Sequence, residues 1–324
     1  MRRSVLTWSV VFAVLVAAFA ITVLALNSTV YSAGGFVRGY LDALSRKDTV
    51  AALEVPGVRL ANDADATLLT PAALGEFDDY TIVRDIADAD GGRTVAVEYS
   101  LGGEQHSTEF TVTPQPARFG LFSGWRFLTS PLTAVSITVL HDQDFEVNGL
   151  EVTSAARADQ PASYLVFAPG LYDLGHTSTF LTAEPVALPV TTLGEILDAT
   201  VDVQANPEFV EKLQTELAGF LDTCATQTVL MPTACPFGRE VANRVVSEPR
   251  WSIADYPTAT IEPGGIPGTW AMPSTDGTAH LAVDVRSLFD GTVSTFDDDV
   301  AFTVEYLIAF EAGNTLVITA VPAD

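Results

Sequence analysis

Positive charge is what this sequence has least of. Sixteen Lys and Arg stand against forty-one Asp and Glu, a formal net charge of −25 over 324 residues, and only Lys47 and Lys212 are lysines. Such a surface repels phosphate backbones and anionic headgroups, which excludes nucleic-acid binding and charge-driven peripheral attachment to a membrane. Histidine is scarce, with four residues at 106, 141, 176 and 280. No GxSxG, HExxH, GxGxxG or SxxK occurs, nor any Gly-Lys pair for a P-loop, so no nucleophile is nominated and neither a cofactor nor a metal is expected. The two cysteines lack CxxC spacing, which argues against a metal centre or a redox dithiol.

One stretch lacks charge and proline altogether. Val5 to Leu26 reads VLTWSVVFAVLVAAFAITVLAL, and at ~1.5 Å of rise per helical residue it spans roughly 33 Å, enough for the ~30 Å core of a bilayer. A secretory signal would be shorter and end in a small-x-small cleavage site, for which Val30-Tyr31-Ser32 is a poor candidate; no cysteine follows to carry a lipid. Arg2 and Arg3 precede the run and the next basic residue is Arg38, a bias that keeps the N-terminus in the cytoplasm. The expectation is a single-pass protein of the plasma membrane: a cytoplasmic tail at 1–4, a transmembrane helix at 5–27, and the bulk of the chain outside.

The remainder divides by period. Val30, Val37, Tyr40, Leu41 and Leu44 recur at helical spacing, so Val30 to Arg46 is expected as an amphipathic helix, with Asp48 capping a short second helix, Thr49 to Leu53. Alternating runs follow: Tyr80, Ile82 and Ile86; then Val95 to Leu101; then His106 to Val112 after Gly102-Gly103; and a last strand from Phe119, Leu121, Trp125 and Phe127. From 132 to 195 no helical period appears, and Asn148-Gly149 and Pro169-Gly170 mark turns. At 196–324 Asn206-Pro207-Glu208 opens a helix, and strand-like runs occupy Trp251 to Tyr256, His280 to Arg286, Val300 to Phe310 and Leu316 to Val321. The class is α+β: a unit at 28–131, a small all-β module at 132–195, and a second α+β unit at 196–324. FLDTC at Phe220 to Cys224 echoes YLDAL at Tyr40 to Leu44, which suggests that the third unit repeats the first.

The stretch FVRGYLDALSRKDTVAALEVPG, with four strands and a closing GWRFL, resembles the nuclear transport factor 2-like, or cystatin-like, fold of secreted and membrane-anchored bacterial domains. That resemblance implies a curved sheet wrapped round the long helix as a cone, which in the family binds a small molecule, catalyses a reaction or is plugged by side chains. It makes Tyr40, Tyr99 and Trp125 candidate pocket residues, beside the plainer reading that they are core aromatics. The family's enzymes place an Asp–His pair in the cone; here the unit has only His106, with no aspartate set beside it. FEVNGLEV and YLVFAPGLYDL are similar to PEGA-like surface modules. LDTCA…ACPFG resembles uncharacterised actinobacterial membrane proteins of this layout, a source that the excess of Arg, Ala, Val, Asp and Thr also fits, although a halophile would share that composition.

Cys224 and Cys235, one ending a helix and one in the loop beyond it, are expected to form a disulfide in an oxidising compartment. His141-Asp142-Gln143-Asp144 reads as a polar turn rather than a metal site, and Asp297-Asp298-Asp299 and Asp88 to Gly92 read as hairpin turns rather than calcium loops. The favoured function is a non-enzymatic, membrane-anchored extracytoplasmic scaffold with a cell-envelope protein as partner. A sensor holding a small molecule or lipid in a cone is the alternative, and an undetected hydrolase or isomerase the second.

Overall fold

A computed structural model describes residues 2–61, 63–118, 120–311 and 315–321. Its class is α+β, with an apolar N-terminal helix and a sheet-rich body that includes a sheet curled into a half-barrel. Helix α1 (Arg2–Ser28) contains the one helix segment among the described residues long and apolar enough to cross a membrane, Trp8–Ser28. Its large apolar side chains, Phe12, Leu15 and Ile21 among them, lie outside the protein core, as a single span requires. It begins at Arg2, so residues 2–4 of the expected tail are helical.

Helix α2 (Ala33–Ser45) starts three residues later than its apolar period suggests. The reason is local: the Ser32 hydroxyl accepts from Gly35 N at 2.9 Å and caps the helix there, leaving Thr29 to Ser32 as a tight turn. Asp48 caps α3 (Thr49–Leu53) in the same way through Ala51 N. Strands β1 (Asp78–Ala87), β2 (Arg93–Leu101), β3 (Glu104–Arg118) and β4 (Phe122–Phe127) form an antiparallel meander in sequence order. A register shift between Ile82 and Arg84 reverses the alternation of β1, so Ile86 faces outward instead of joining Tyr80 and Ile82. Asp85 turns inward by the same shift and accepts from Gly34 N at the start of α2, at 3.1 Å. Phe119, expected in the last strand, lies outside the described residues.

The middle of the chain is all-β. β5 (Leu132–Leu140), β8 (Pro161–Phe167) and β11 (Ile196–Asp202) make a three-stranded sheet. The second sheet has the order β12-β10-β9-β6-β7, from β6 (Asp144–Val147), β7 (Leu150–Thr153), β9 (Gly170–Thr177), β10 (Leu181–Val190) and β12 (Gln204–Ala205). Asn148 and Gly149 both take positive φ in the turn from β6 to β7, as a two-residue hairpin of matching twist needs. The expected boundary at residue 196 falls within this module, because β11 runs parallel to β5 from Ile196↔Ala134 to Asp202↔Leu140.

Helix α4 (Pro207–Ala225) begins where Asn206 Oδ1 accepts from Phe209 N at 3.0 Å. Its sheet is dominated by the hairpin of β16 (Thr269–Arg286) and β17 (Val293–Glu311), flanked by β18 (Thr315–Ala320) on one side. On the other side the short strands β13 (Arg244–Val245), β14 (Arg250–Asp255) and β15 (Glu262–Pro263) share the edge of β16. This unit is thus a helix followed by a mostly antiparallel sheet of four ranks. Asp297, Asp298 and Asp299 lie inside β17, not in a hairpin turn, because β17 runs unbroken from Val293 opposite β16.

One connected apolar core runs through all three modules, from Ala33 to Ile308. The extended segment after α3 adds to the middle module's edge: Asp65 N donates to Ser163 O at 2.8 Å, and Leu165 N donates to Asp65 O at 2.7 Å. Asn148 Nδ2 donates to Ala73 O at 2.7 Å. Phe180, between β9 and β10, stacks on Phe310 at 6.0 Å and packs on Phe209 at 5.7 Å, tying the middle module to the third unit.

Candidate functional site

Of the three aromatics expected to line a cone, Tyr40 and Trp125 border one cavity and Tyr99 does not. Tyr40 and Tyr99 are fully buried. Tyr40 packs edge-on against Phe127 at 5.3 Å and Phe110 at 6.2 Å, and its hydroxyl donates to Ala168 O at 3.0 Å in the middle module. Burial, and after it the neighbouring Tyr172, raises its pKa well above the usual phenol value. Tyr99 pairs its hydroxyl with Thr108 Oγ1 at 2.6 Å, which donates in turn to Thr191 O at 2.6 Å; burial raises this phenol too. Their polar ends are satisfied by protein. Trp125 is half-buried and donates through Nε1 to Tyr31 O at 3.0 Å. Beside it a shallow apolar cavity of about 320 Å³ is lined by Tyr31, Phe36, Tyr40 and Pro56 among others, but not by Tyr99. His106 stacks near Tyr99 at 6.3 Å.

A larger cavity, about 640 Å³, lies where the middle module meets the third unit. His141, Arg157 and His176 reach it from the middle module, and Trp270 and Phe310 from the third unit's hairpin. His176 falls on the inward face of β9, in phase with Tyr172 and Leu174, and is 7% exposed. Its Nδ1 lies 2.9 Å from Asp144 O. A carbonyl only accepts, so Nδ1 carries the proton, and in the neutral ring Nε2 is a lone-pair acceptor. Among the described residues Nε2 is buried with no partner, as are both ring nitrogens of His141. His141 occupies a left-handed turn after β5, φ +68°, held by Asp159 Oδ1 on its backbone N–H at 2.9 Å, and its ring lies 6.2 Å from Trp270. Buried nitrogens of this kind are uncommon and costly unless a ligand or water meets them.

Asp142 and Asp144 also border the cavity, but they serve the chain. Asp142 Oδ1 accepts from Gln143 N at 2.6 Å, and Asp144 Oδ1 from Thr153 Oγ1 at 2.6 Å. Among the described residues no three His, Cys, Asp or Glu side chains converge as a metal site would require. Sequence reasoning passes over His176 although a signal is there: an imidazole in register with core positions of a strand. His141 reads in sequence as part of a polar turn, and that turn is what aims it at the third unit.

The fourth histidine sits elsewhere. His280 on β16 bonds Asp299 through Nδ1 at 2.8 Å and Asp297 through Nε2 at 2.9 Å. The Asp299 hydrogen bond is the main cause raising its pKa, against an opposing cost of burial. All three side chains stand on the exposed outer face of the sheet. No family model matches the chain, and no curated protein and no solved structure matches it either.

Cys224 and Cys235 are joined, with Cα atoms 5.8 Å apart. The bond ties the end of α4 to an irregular loop that is also held by Gln227 on Thr233, by Trp251 Nε1 on Val229 O at 2.8 Å and by the buried Phe237. It suits an oxidising compartment.

Proposed function

We propose that this protein is a non-enzymatic, membrane-anchored extracytoplasmic scaffold of the cell envelope, with its N-terminus cytoplasmic and two nuclear transport factor 2-like units flanking an all-β module. The observation that carries this reading is the continuous core: modules that share one interior present their surfaces at fixed spacing, as an assembly platform must. Tyr40, Phe110 and Phe127 fill the first unit and the Tyr40 hydroxyl joins it to its neighbour, so the reading gives that interior a structural role. Apolar surface is instead offered outward, at Phe220, which is 40% exposed and borders a groove of about 330 Å³ with Leu213, Leu217, Tyr306 and Ile318. Crosslinking in the native membrane followed by mass spectrometry tests it. An envelope protein should be captured by the full chain and lost with Phe220→Asp, while His106→Ala and His280→Ala leave cellular function intact. Loss of function from a conservative change inside a cone, with folding and crosslinks normal, would overturn the scaffold.

A second reading, a binding protein for a small molecule, is favoured by one observation: the unpartnered His176 Nε2 at the cavity between modules. Mixed donors and acceptors beside an aromatic wall suit a neutral, hydroxylated ligand more than a simple anion. Saturation-transfer NMR of the purified chain with a panel of monosaccharides tests this. A sugar signal that the native chain gives and His176→Leu abolishes supports it, and no transfer from any sugar removes it.

A further inference from the structure

The junction between α1 and the first unit has no slack. Tyr31 N donates to Leu26 O at 2.9 Å, Thr29 Oγ1 donates to Ala25 O at 2.8 Å, and Phe36 N donates to Ser32 O at 2.9 Å, so the hydrogen-bonded turn passes from one helix directly into the next. Gly35 lies against that turn so closely that an added Cβ would fall inside van der Waals contact of the Thr29 and Val30 carbonyl oxygens. The end of α1 also holds the tip of the β3–β4 hairpin. Asn27 Nδ2 donates to Leu121 O at 2.9 Å and Asn27 Oδ1 accepts from Ser123 N at 2.8 Å. Tyr31 stacks on Phe122 at 4.4 Å.

Asn27 is the first polar residue after the apolar run, which places it where a spanning helix leaves the hydrocarbon. A hairpin clamped to that side chain is therefore at the headgroup level. What it presents there is apolar: Leu121 is 45% exposed, and Val30, at the foot of α2, is 60% exposed. Tyr31 and Trp125 stand beside them, the aromatic types that collect at this depth. The cavity lined by Val30, Tyr31, Phe36 and Trp125 opens in the same place.

We propose that the β3–β4 tip, with the exposed Leu121 and Val30, is a second membrane contact: it docks on the outer leaflet of the bilayer that α1 spans and sets the angle of the whole extracytoplasmic body. A single span alone leaves the attached domain free to tilt and swivel, whereas a clamped hairpin with its own apolar rim removes that freedom. Because the three modules share one core, orientation of the first orients the third. A net charge of −25 makes the contact apolar rather than electrostatic, so zwitterionic lipid is sufficient.

The test uses the full chain, disulfide intact, in phosphatidylcholine nanodiscs, with a nitroxide on Leu15→Cys, Leu121→Cys or Leu128→Cys. Leu128 follows β4 and is roughly 20 Å along the strand from its tip, at ~3.3 Å per residue. Accessibility to oxygen against a nickel chelate reports depth. The expected order is deep at 15, interfacial at 121 and aqueous at 128, with Gly35→Ala shifting the label at 121 toward water. A label at 121 as accessible to nickel as that at 128, while 15 stays deep, overturns the docking. A label at 15 that is not deep overturns the span itself, so the two failures are distinct.

Discussion

The two helix-and-sheet units repeat one contact and differ in what covers it. In the first, Tyr80 donates its hydroxyl to Asp42 of α2 at 2.5 Å; in the third, Tyr256 donates to Asp222 of α4 at 2.5 Å. Asp42 and Asp222 hold the same place in YLDAL and FLDTC, and both phenols titrate higher than usual: burial is the leading cause for Tyr80, the Asp222 hydrogen bond for Tyr256. Leu41 and Leu221 are equally buried one residue earlier, and Leu44 matches Cys224. The position before them separates the units. Tyr40 is enclosed and bonded to the middle module, whereas Phe220 stands partly in solvent. The same Tyr–Asp contact thus accompanies an internal joint in one unit and an outward face in the other, and a hydroxyl with a carbonyl to meet marks the joint.

The comparison breaks most severely where the third unit depends on its neighbour. Phe209 is enclosed by Phe180, Trp270 and Phe310, so Phe209→Ala should cost about 3–5 kcal/mol. It should also raise hydrogen exchange at 176–182 and 266–270, on both sides of the cavity. A loss confined to α4 would mean that the shared core is not cooperative.

Next in size is the disulfide, a closure that the first unit lacks. Replacing Cys224 and Cys235 with serine should lower stability by about 3 kcal/mol in the chain-entropy view, seen as a lower melting temperature that reductant reproduces in the native chain. Unchanged melting would show the loop to be held by its packing and hydrogen bonds without the disulfide.

The joint itself is sharpened by Tyr40→Phe set against Phe220→Ser. Removing the Tyr40 hydroxyl leaves the buried Ala168 carbonyl short of a donor, at a cost of about 1–2 kcal/mol, while the Phe220 change should stay within about 0.5 kcal/mol. Equal costs in chemical denaturation would erase the distinction between joint and face.

The smallest effect is electrostatic. His280 is raised in the folded state by Asp299 and Asp297, so its contribution is complete below the ordinary histidine value of ~6.5 and fades as pH rises through the folded pKa. Solvent screening at this exposed site keeps it small. His280→Asn should flatten that part of the stability–pH curve, and an identical curve for the variant would discount the two aspartate bonds.

Much of the fold is legible because it is written locally. Val5 to Leu26 announces a long apolar helix by its length and composition, Ser32, Asp48 and Asn206 cap helices by chemistry, and Asn148-Gly149 dictates its turn. Expectation and structure part where position depends on distant partners. Period-two alternation puts Ile86 inward because it does not register the irregularity after Ile82. Residues 196–202 fall to the third unit on sequence alone because parallel pairing with β5 leaves no mark in adjacent residues. Asp297 to Asp299 resemble a turn because their place in a strand is decided by β16 opposite them.

By itself, then, the sequence determined the long apolar N-terminal helix, the fold class, the helices that carry Asp42 and Asp222, and a cysteine pair free to join, since each depends on composition or on neighbours within a few turns of chain. The tertiary structure alone decided that Tyr40 is a joint and Phe220 a face, that His141 and His176 border one cavity, and that Asn27 grips a hairpin more than ninety residues away. Those facts rest on which surfaces meet when three modules bury a common core, and no local pattern encodes that.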